Sequence, residues 1–333
     1  MTGLRGAICG VMHWLARGLP VWAMLLAAGG ACAAPDAIVG ILQGSAVLVR
    51  QTQRFTLAEG AALEAGDIVE TAKGGFAQLE FPDGTLAGVG EGTRLLLQVP
   101  PGRKDKDKGK ALARLYLLEG WIKLRLPGSA PGAAPASAAA PAPANTPAGP
   151  GFSLSSPALE LDGKEGAAVV RIQDKAWAVF VEAGAARVIG RGTTKATLNL
   201  KRGDFAALAA GQDKASISAQ VAAPFLAELP GPFRDPLPPR AERFAKRTVT
   251  LKPLGPVNYE DVAAWLRSEP TLRQGLSRQW FSRASDPAFR TAAAANLKLH
   301  PEWERILFPE RFQPPQAASE PTSESAAQPS RKK

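Results

Sequence analysis

From Ile38 to about Gln212 the apolar positions follow the two-residue period of short strands. Ala77, Leu79 and Phe81 share one face of a predicted strand, with Gln78 and Glu80 on the other. Ala46 and Leu48 alternate with Val47 and Val49, which suits a strand buried on both faces. Further strands are predicted at Arg94–Val99, Leu112–Leu118, Trp121–Leu126, Ala167–Ile172, Trp177–Glu182, Ala186–Ile189, Thr197–Leu200 and Phe205–Leu208. Glycines punctuate the intervals, as turns between strands require, and no interval has room for the crossover helices of a parallel α/β sheet. The fold class that follows is mostly β.

The period changes after a proline-rich connector at 223–244, which contains "DPLPPR" and is expected to be extended. Asn258 can cap a helix that carries Val262, Trp265 and Leu266 on one face. A second helix should start near Ser268-Glu269-Pro270, with Leu272, Leu276 and Trp280 at four-residue spacing and Gly275 as its weak point. Asp286-Pro287 is a cap and first-turn pair for a third helix, through Phe289 to about Leu297. Pro301 can open a last short helix with Trp303, Ile306 and Leu307. The expected organisation is a β domain at 38–222 and a small α-helical C-terminal domain at 245–312.

Three stretches fall outside this pattern. Residues 127–151 are low in complexity, with 17 of 25 residues Ala or Pro, so they are read as a disordered loop within the β domain. Residues 103–110, "RKDKDKGK", alternate in charge and read as a hairpin tip; without interleaved aromatics they do not make a nucleic-acid site. Residues 313–333 are read as a disordered tail.

Residues 1–33 lack acidic residues, carry Arg5 and Arg17, and hold an apolar run from Leu19 to Ala28 before Ala31-Cys32-Ala33. This is the layout of a signal peptide cleaved before Ala34, with a lipidated Cys32 or an uncleaved anchor as alternatives. Export to the periplasm is the expectation, with no membrane span after cleavage. Cleavage would remove both cysteines and His13, which leaves His300 as the one histidine. Disulfides and a zinc site of the usual ligands are then not expected, nor is a cofactor. Loss of two arginines takes the formal net charge from +10 to +8. A basic exported chain favours anionic envelope partners, and nucleic acid is not expected in that compartment.

Candidate chemistry is sparse. In "GDIVETAKGGFAQLEFPDGT", Asp67 and Asp83 stand beside glycines amid alternating apolar residues. Pro82-Asp83-Gly84 has the composition of a tight turn, and Asp67 leads into a strand, so Asp67, Asp83 and Gly84 are read as turn-formers. A catalytic carboxylate pair drawn from Asp67, Asp83 or Glu260 is the rival. A calcium role for Asp67, Asp83 and Glu91 matches no ligand loop. The sharper binding candidates are Arg267, Arg273, Arg278 and Arg283, with Arg290 in the same run, interleaved with Trp265, Trp280 and Phe281. Arginine forks suit carboxylates and phosphates, and aromatics stack on sugars, which suggests an anionic glycan. The alternative is a helical bundle with an aromatic core and arginines on its wet face.

"GSAVLVR", "LAEGAALEAGDIVETAKGGFAQLEFPDGT" and "TRLLL" together resemble the FecR-type periplasmic domain, most closely over residues 38–99 and more loosely to 212. The resemblance implies an elongated, solenoid-like β domain with a non-enzymatic role. Sensor members of that family carry a cytoplasmic anti-sigma segment and a membrane helix before this domain. Only about 37 residues precede it here, so the resemblance implies a free periplasmic module with an added helical region. The expected function is binding or scaffolding toward an envelope protein or anionic glycan; the alternative is a signalling partner of a membrane sensor or outer-membrane transporter.

Overall fold

Alternating apolar residues become strands here because each strand finds a partner layer for its apolar face. The computed structural model describes residues 35–98, 113–127, 152–191, 196–245 and 247–312. The stretch 1–33 read as a signal peptide, the charged insertion 103–110, nearly all of the Ala/Pro loop and the tail 313–333 lie outside the described residues. Strands outweigh helices, 42% to 26%, so the protein is mostly β with C-terminal helices, and its sheet is not closed.

The strands are β1 (Ala37–Gln43), β2 (Ala46–Arg50), β3 (Gln53–Thr56), β4 (Ala62–Leu63), β5 (Ile68–Thr71), β6 (Phe76–Glu80), β7 (Leu86–Val89) and β8 (Arg94–Leu97). They continue as β9 (Ala113–Arg125), β10 (Phe152–Ser155), β11 (Leu159–Gln173), β12 (Ala176–Gly190), β13 (Thr197–Lys201), β14 (Phe205–Leu208), β15 (Ser216–Ser218) and β16 (Lys252–Pro256). Two pairs of predicted strands are each one long strand. Predicted strands 112–118 and 121–126 merge into β9, which runs on through Gly120 at φ +103°. Predicted strands 177–182 and 186–189 merge into β12, which runs on through Gly184. A glycine between two apolar runs can bend a strand as well as end one.

The long strands fold the sheet on itself. The first part of β9 pairs with β8 and β10, and its second part with β7 and β11. Likewise β12 pairs with β14 near its start and with β13 near its end. One layer therefore runs β4-β1-β6-β7-β9-β11-β12-β14-β15, and the other β16-β3-β2-β5-β8-β9-β10-β11-β12-β13. Leu79, Val89, Ile122 and Val170 of the first layer share a buried core with Leu48, Val69, Leu95 and Leu115 of the second.

Both outer faces are also covered. On the first layer, Phe76, Leu86, Trp121, Val169 and Phe205 pack under Phe225, Phe233 and Leu237 of the proline-rich stretch. That stretch is not simply extended: it forms helix α1 (Ala223–Glu228) and single 3-10 turns at 231–233 and 241–244. On the second layer, Val49, Ile68, Leu96 and Tyr116 pack under the helices. The strand at 46–50 is thus buried on both faces, Leu48 toward the sandwich interior and Val49 toward the helices.

The helices start where capping residues allow. Asn258 and Asp261 form a reciprocal capping box on α2 (Tyr259–Leu266). Pro270 opens α3 (Pro270–Trp280), and Asp286 accepts the Ala288 and Phe289 amides at the start of α4 (Pro287–Ala295). The chain closes with 3-10 turns at 297–299 and 301–303, α5 (Glu304–Leu307) and a turn at 309–312. Among the described residues no helix is long and apolar enough to cross a membrane.

Candidate functional site

The two aspartates of the quoted stretch bind backbone. Asp67, only 2% exposed, accepts from Arg50 Nε at 2.9 Å, from Arg50 Nη2 at 2.6 Å and from the Glu64 amide at 2.8 Å. Arg50 also donates to the Ala62 carbonyl and lies 3.3 Å from Glu64. The hydrogen bond to Asp67, set against partial burial, pushes the Arg50 guanidinium above its ordinary value. Asp83 Oδ1 accepts the Thr85 amide at 2.9 Å, and the Gly84 amide reaches the Phe81 carbonyl with Gly84 at φ +83°. Asp83 thus braces the hairpin between β6 and β7, and Asp67 the entry to β5. The third rival carboxylate, Glu260, is exposed on the first turn of α2. Among the described residues no three His, Cys, Asp or Glu side chains gather as metal ligands.

Asp67→Ala removes both oxygens that hold Arg50 and leaves the Glu64 amide without its acceptor. The expected loss is about 1–3 kcal/mol of stability, read from urea unfolding midpoints.

The Arg and Trp set is divided by the fold. Trp265 is fully buried; its Nε1–H donates to Glu70 Oε1 at 2.8 Å and its ring lies 6.4 Å from Tyr116. Trp280 is fully buried and donates to the Gln51 carbonyl at 2.8 Å. Neither indole offers a free face to a sugar. Arg273 donates to the Leu299 carbonyl and pairs with Glu302 at 2.9 Å. Arg283 donates to the Val257 carbonyl, pairs with Asp286 and lies 5.9 Å over the Phe289 ring. Arg267 and Arg278 are exposed.

Polar ties also fix the helices to the sheet. Besides Trp265 with Glu70, Arg54 pairs with Asp261 at 2.9 Å, and Arg191 bridges Glu160 and Glu269 at 2.7 Å each. Glu70 is pushed above the ordinary carboxylate range by burial, against the lowering effects of Trp265 and Arg94.

Sequence reasoning missed a second group, on the outer face of β6 and β9. Lys123 is buried and donates to the carbonyls of Phe233 and Asp235 while pairing with Glu182 at 2.9 Å. Arg125 donates to the Leu237 carbonyl, and Gln78 to the Pro238 carbonyl at 2.6 Å. Glu80 accepts the amides of Arg240 and Ala241 at 2.7–2.8 Å. These side chains clasp the backbone of the proline-rich strap, so the polar face of β6 is covered: Gln78 is 0% and Glu80 5% exposed. The signal was present in "GWIKLRL", where Trp121 shares its strand face with Lys123 and Arg125. A bulky aromatic among charges on an outer face marks a covered surface.

No family model matches the chain, and no curated protein matches it. Among solved structures, two crystal structures of a candidate anti-sigma factor from Parabacteroides distasonis ATCC 8503, at 2.50 and 1.65 Å resolution, resemble part of it. Each is 14% identical, with TM-scores of 0.34 and 0.33. Each match covers 46% of this chain and 59% of the other, so this chain spans less than two thirds of the length of the proteins it resembles.

Proposed function

We propose that this chain is a non-catalytic, exported protein of the cell envelope that works by binding another protein, as a regulatory partner rather than as a glycan receptor. The observation that carries the choice of partner is the fate of the aromatic and arginine set. Trp265 and Trp280 are spent in the core, and Arg273 and Arg283 are tied to backbone carbonyls. Neither indole is therefore presented to a sugar ring; of that aromatic set Phe281 alone is exposed, at 61%. The FecR-type pattern of residues 38–99 supports the same reading, because Asp67, Asp83 and Gly84 serve as braces of the sheet. A module resembling that family, exported to the periplasm, would meet its partner through its surface, without bond chemistry.

The test uses the full mature chain. A chain cut near residue 230 would lose both Phe233 and the helices, and so lay bare both outer faces. Immobilised wild type and an Arg267→Glu/Arg278→Glu variant are exposed to detergent-solubilised native envelope and, separately, to purified peptidoglycan. The expected result is one membrane protein recovered in stoichiometric amount and no peptidoglycan retained. Peptidoglycan retained by the wild type and lost in the variant would overturn the protein-partner reading in favour of an anionic glycan.

A further inference from the structure

His300 is a buried ionisable group that the proposed function does not use. It is 0% exposed and stands at the start of the closing segment 297–312. Its Nε2 shares a 3.0 Å hydrogen bond with the Tyr259 hydroxyl, and its Nδ1 has no hydrogen-bond partner. Its ring lies 5.7 Å from the Tyr259 ring and 6.2 Å from the Trp303 ring, and Phe289 of α4 closes the cluster at 5.4 Å from Trp303.

An imidazolium donates from both nitrogens. In this pocket Nδ1 has no acceptor, and Nε2 would have to donate to Tyr259. The charged groups acting on the ring are Glu302 on its own segment, Arg273 on α3 and Arg267 at the end of α2. Glu302, which favours the charged form, is already paired with Arg273 at 2.9 Å, and both arginines oppose it. The backbone of His300 itself also favours the charged form, but burial outweighs it, so a proton on His300 would sit buried against a net penalty.

The segment is held by a definable set of contacts. Its buried anchors are His300, Trp303 and Leu307, with Leu297, Ile306 and Phe308 partly buried against the same core. Its side-chain ties to the helices are Arg273 to the Leu299 carbonyl and Glu302, Arg290 to the Leu307 carbonyl, and Tyr259 to His300. We propose that residues 297–312 form an acid-released cover: a proton on His300 detaches the segment from α2–α4 while the β sandwich stays folded, which uncovers the apolar surface around Tyr259 and Phe289.

Burial holds the His300 imidazole below the ordinary histidine value of 6.5. The closed state thus binds the proton more weakly than the open one. Closure is fully present above about pH 6.5 and is lost as pH falls toward the closed-state value. Over that window one proton taken up on opening raises the opening equilibrium by up to about tenfold per pH unit. Glu70 works in the opposite sense, because a carboxyl held above its ordinary range stabilises the fold on acidification. It lies under α2 at the sheet, away from the segment.

Hydrogen exchange on the full chain at pH 7.5 and 5.5, corrected for intrinsic rates, tests this. The Trp303 and Phe308 amides, which donate to the carbonyls of His300 and Glu304, report on the segment. Their protection should fall up to about tenfold per unit below pH 6.5 in the wild type. The β9 and β11 amides should keep theirs, and His300→Gln and His300→Phe should show no such pH dependence. Unchanged wild-type protection at the two pH values, parallel loss in β9 and β11, or a wild-type profile in both variants would each overturn the proposal.

Discussion

Phe233→Ala should lower the stability of the protein by about 3–5 kcal/mol, more than any change at the sheet turns. Phe233 is fully buried at the centre of the strap, with its ring 6.1 Å from Phe76 in an edge-to-face pair. The hole it fills is floored by glycines: a Cβ at Gly88 would lie 3.2 Å from the Phe233 ring and the Phe76 ring, and one at Gly90 3.4 Å from the Phe233 ring. Truncation empties a site whose floor is backbone, and backbone collapses poorly into a void. The loss also loosens the Lys123 clasp, because Lys123 donates to the carbonyl of this same residue. Gly88→Ala alone should cost about 1–3 kcal/mol by overpacking. In the Phe233→Ala background it should cost less, since one of the three crowding neighbours is gone and only Phe76 at 3.2 Å and Leu237 at 3.3 Å remain. Urea unfolding of the four proteins, followed by intrinsic tryptophan fluorescence, measures the cycle; additive losses would mean that Phe233 and Gly88 do not share one hole.

Trp265→Ala should produce a loss of similar size, about 3–5 kcal/mol, on the opposite face. The indole is fully buried between the helices and Tyr116, and its N–H is a donor to the half-buried Glu70 carboxylate. Trp265→Phe separates the two contributions, because it keeps much of the packing and loses the donor; its expected cost is about 1–2 kcal/mol at pH 7.5. The sign of its pH dependence follows from Glu70. Burial already raises that carboxyl, and the Trp265 N–H counteracts the rise. Without the donor the folded-state value climbs further, so acid restores part of what the variant lost. The deficit relative to wild type should therefore be largest at neutral pH and shrink as pH falls through the Glu70 range. Urea midpoints for the pair at pH 7.5 and 5.5 check it. A deficit that grows on acidification would mean that the indole supports Glu70 in its neutral form.

The strands and helices were legible in the sequence where local chemistry decides them. Asn258, Pro270 and Asp286-Pro287 place three helix starts by capping alone, and the structure begins α2, α3 and α4 at those residues. The alternation at 76–80 gives a strand in the expected place. What covers each face was not legible, because it depends on partners distant in the chain. Gln78 and Glu80 look solvated from their neighbours alone; they are buried because residues 238–241 lie 160 positions away and bring unpaired backbone groups to them. Trp265 and Trp280 satisfy both a helical core and a sugar platform when read as spacing. Their burial follows only once the outer face of β2, β5 and β8 is known to be apolar and open to them. The bends in β9 and β12 were hidden for another reason: a glycine between apolar runs reads the same whether it ends a strand or bends it.

One continuous stretch, residues 223–312, supplies the covering of both outer faces. During synthesis this stretch is the last of the described chain to emerge, so the sandwich forms with two apolar faces still bare. Native contacts such as Lys123 with Phe233 and Glu70 with Trp265 span 110 and 195 residues, and loops of that length close late. The nascent protein is therefore at its most adhesive before residues 223–312 have emerged and docked, and a chaperone holding the bare sandwich would be displaced from one face by the strap and from the other by the helices.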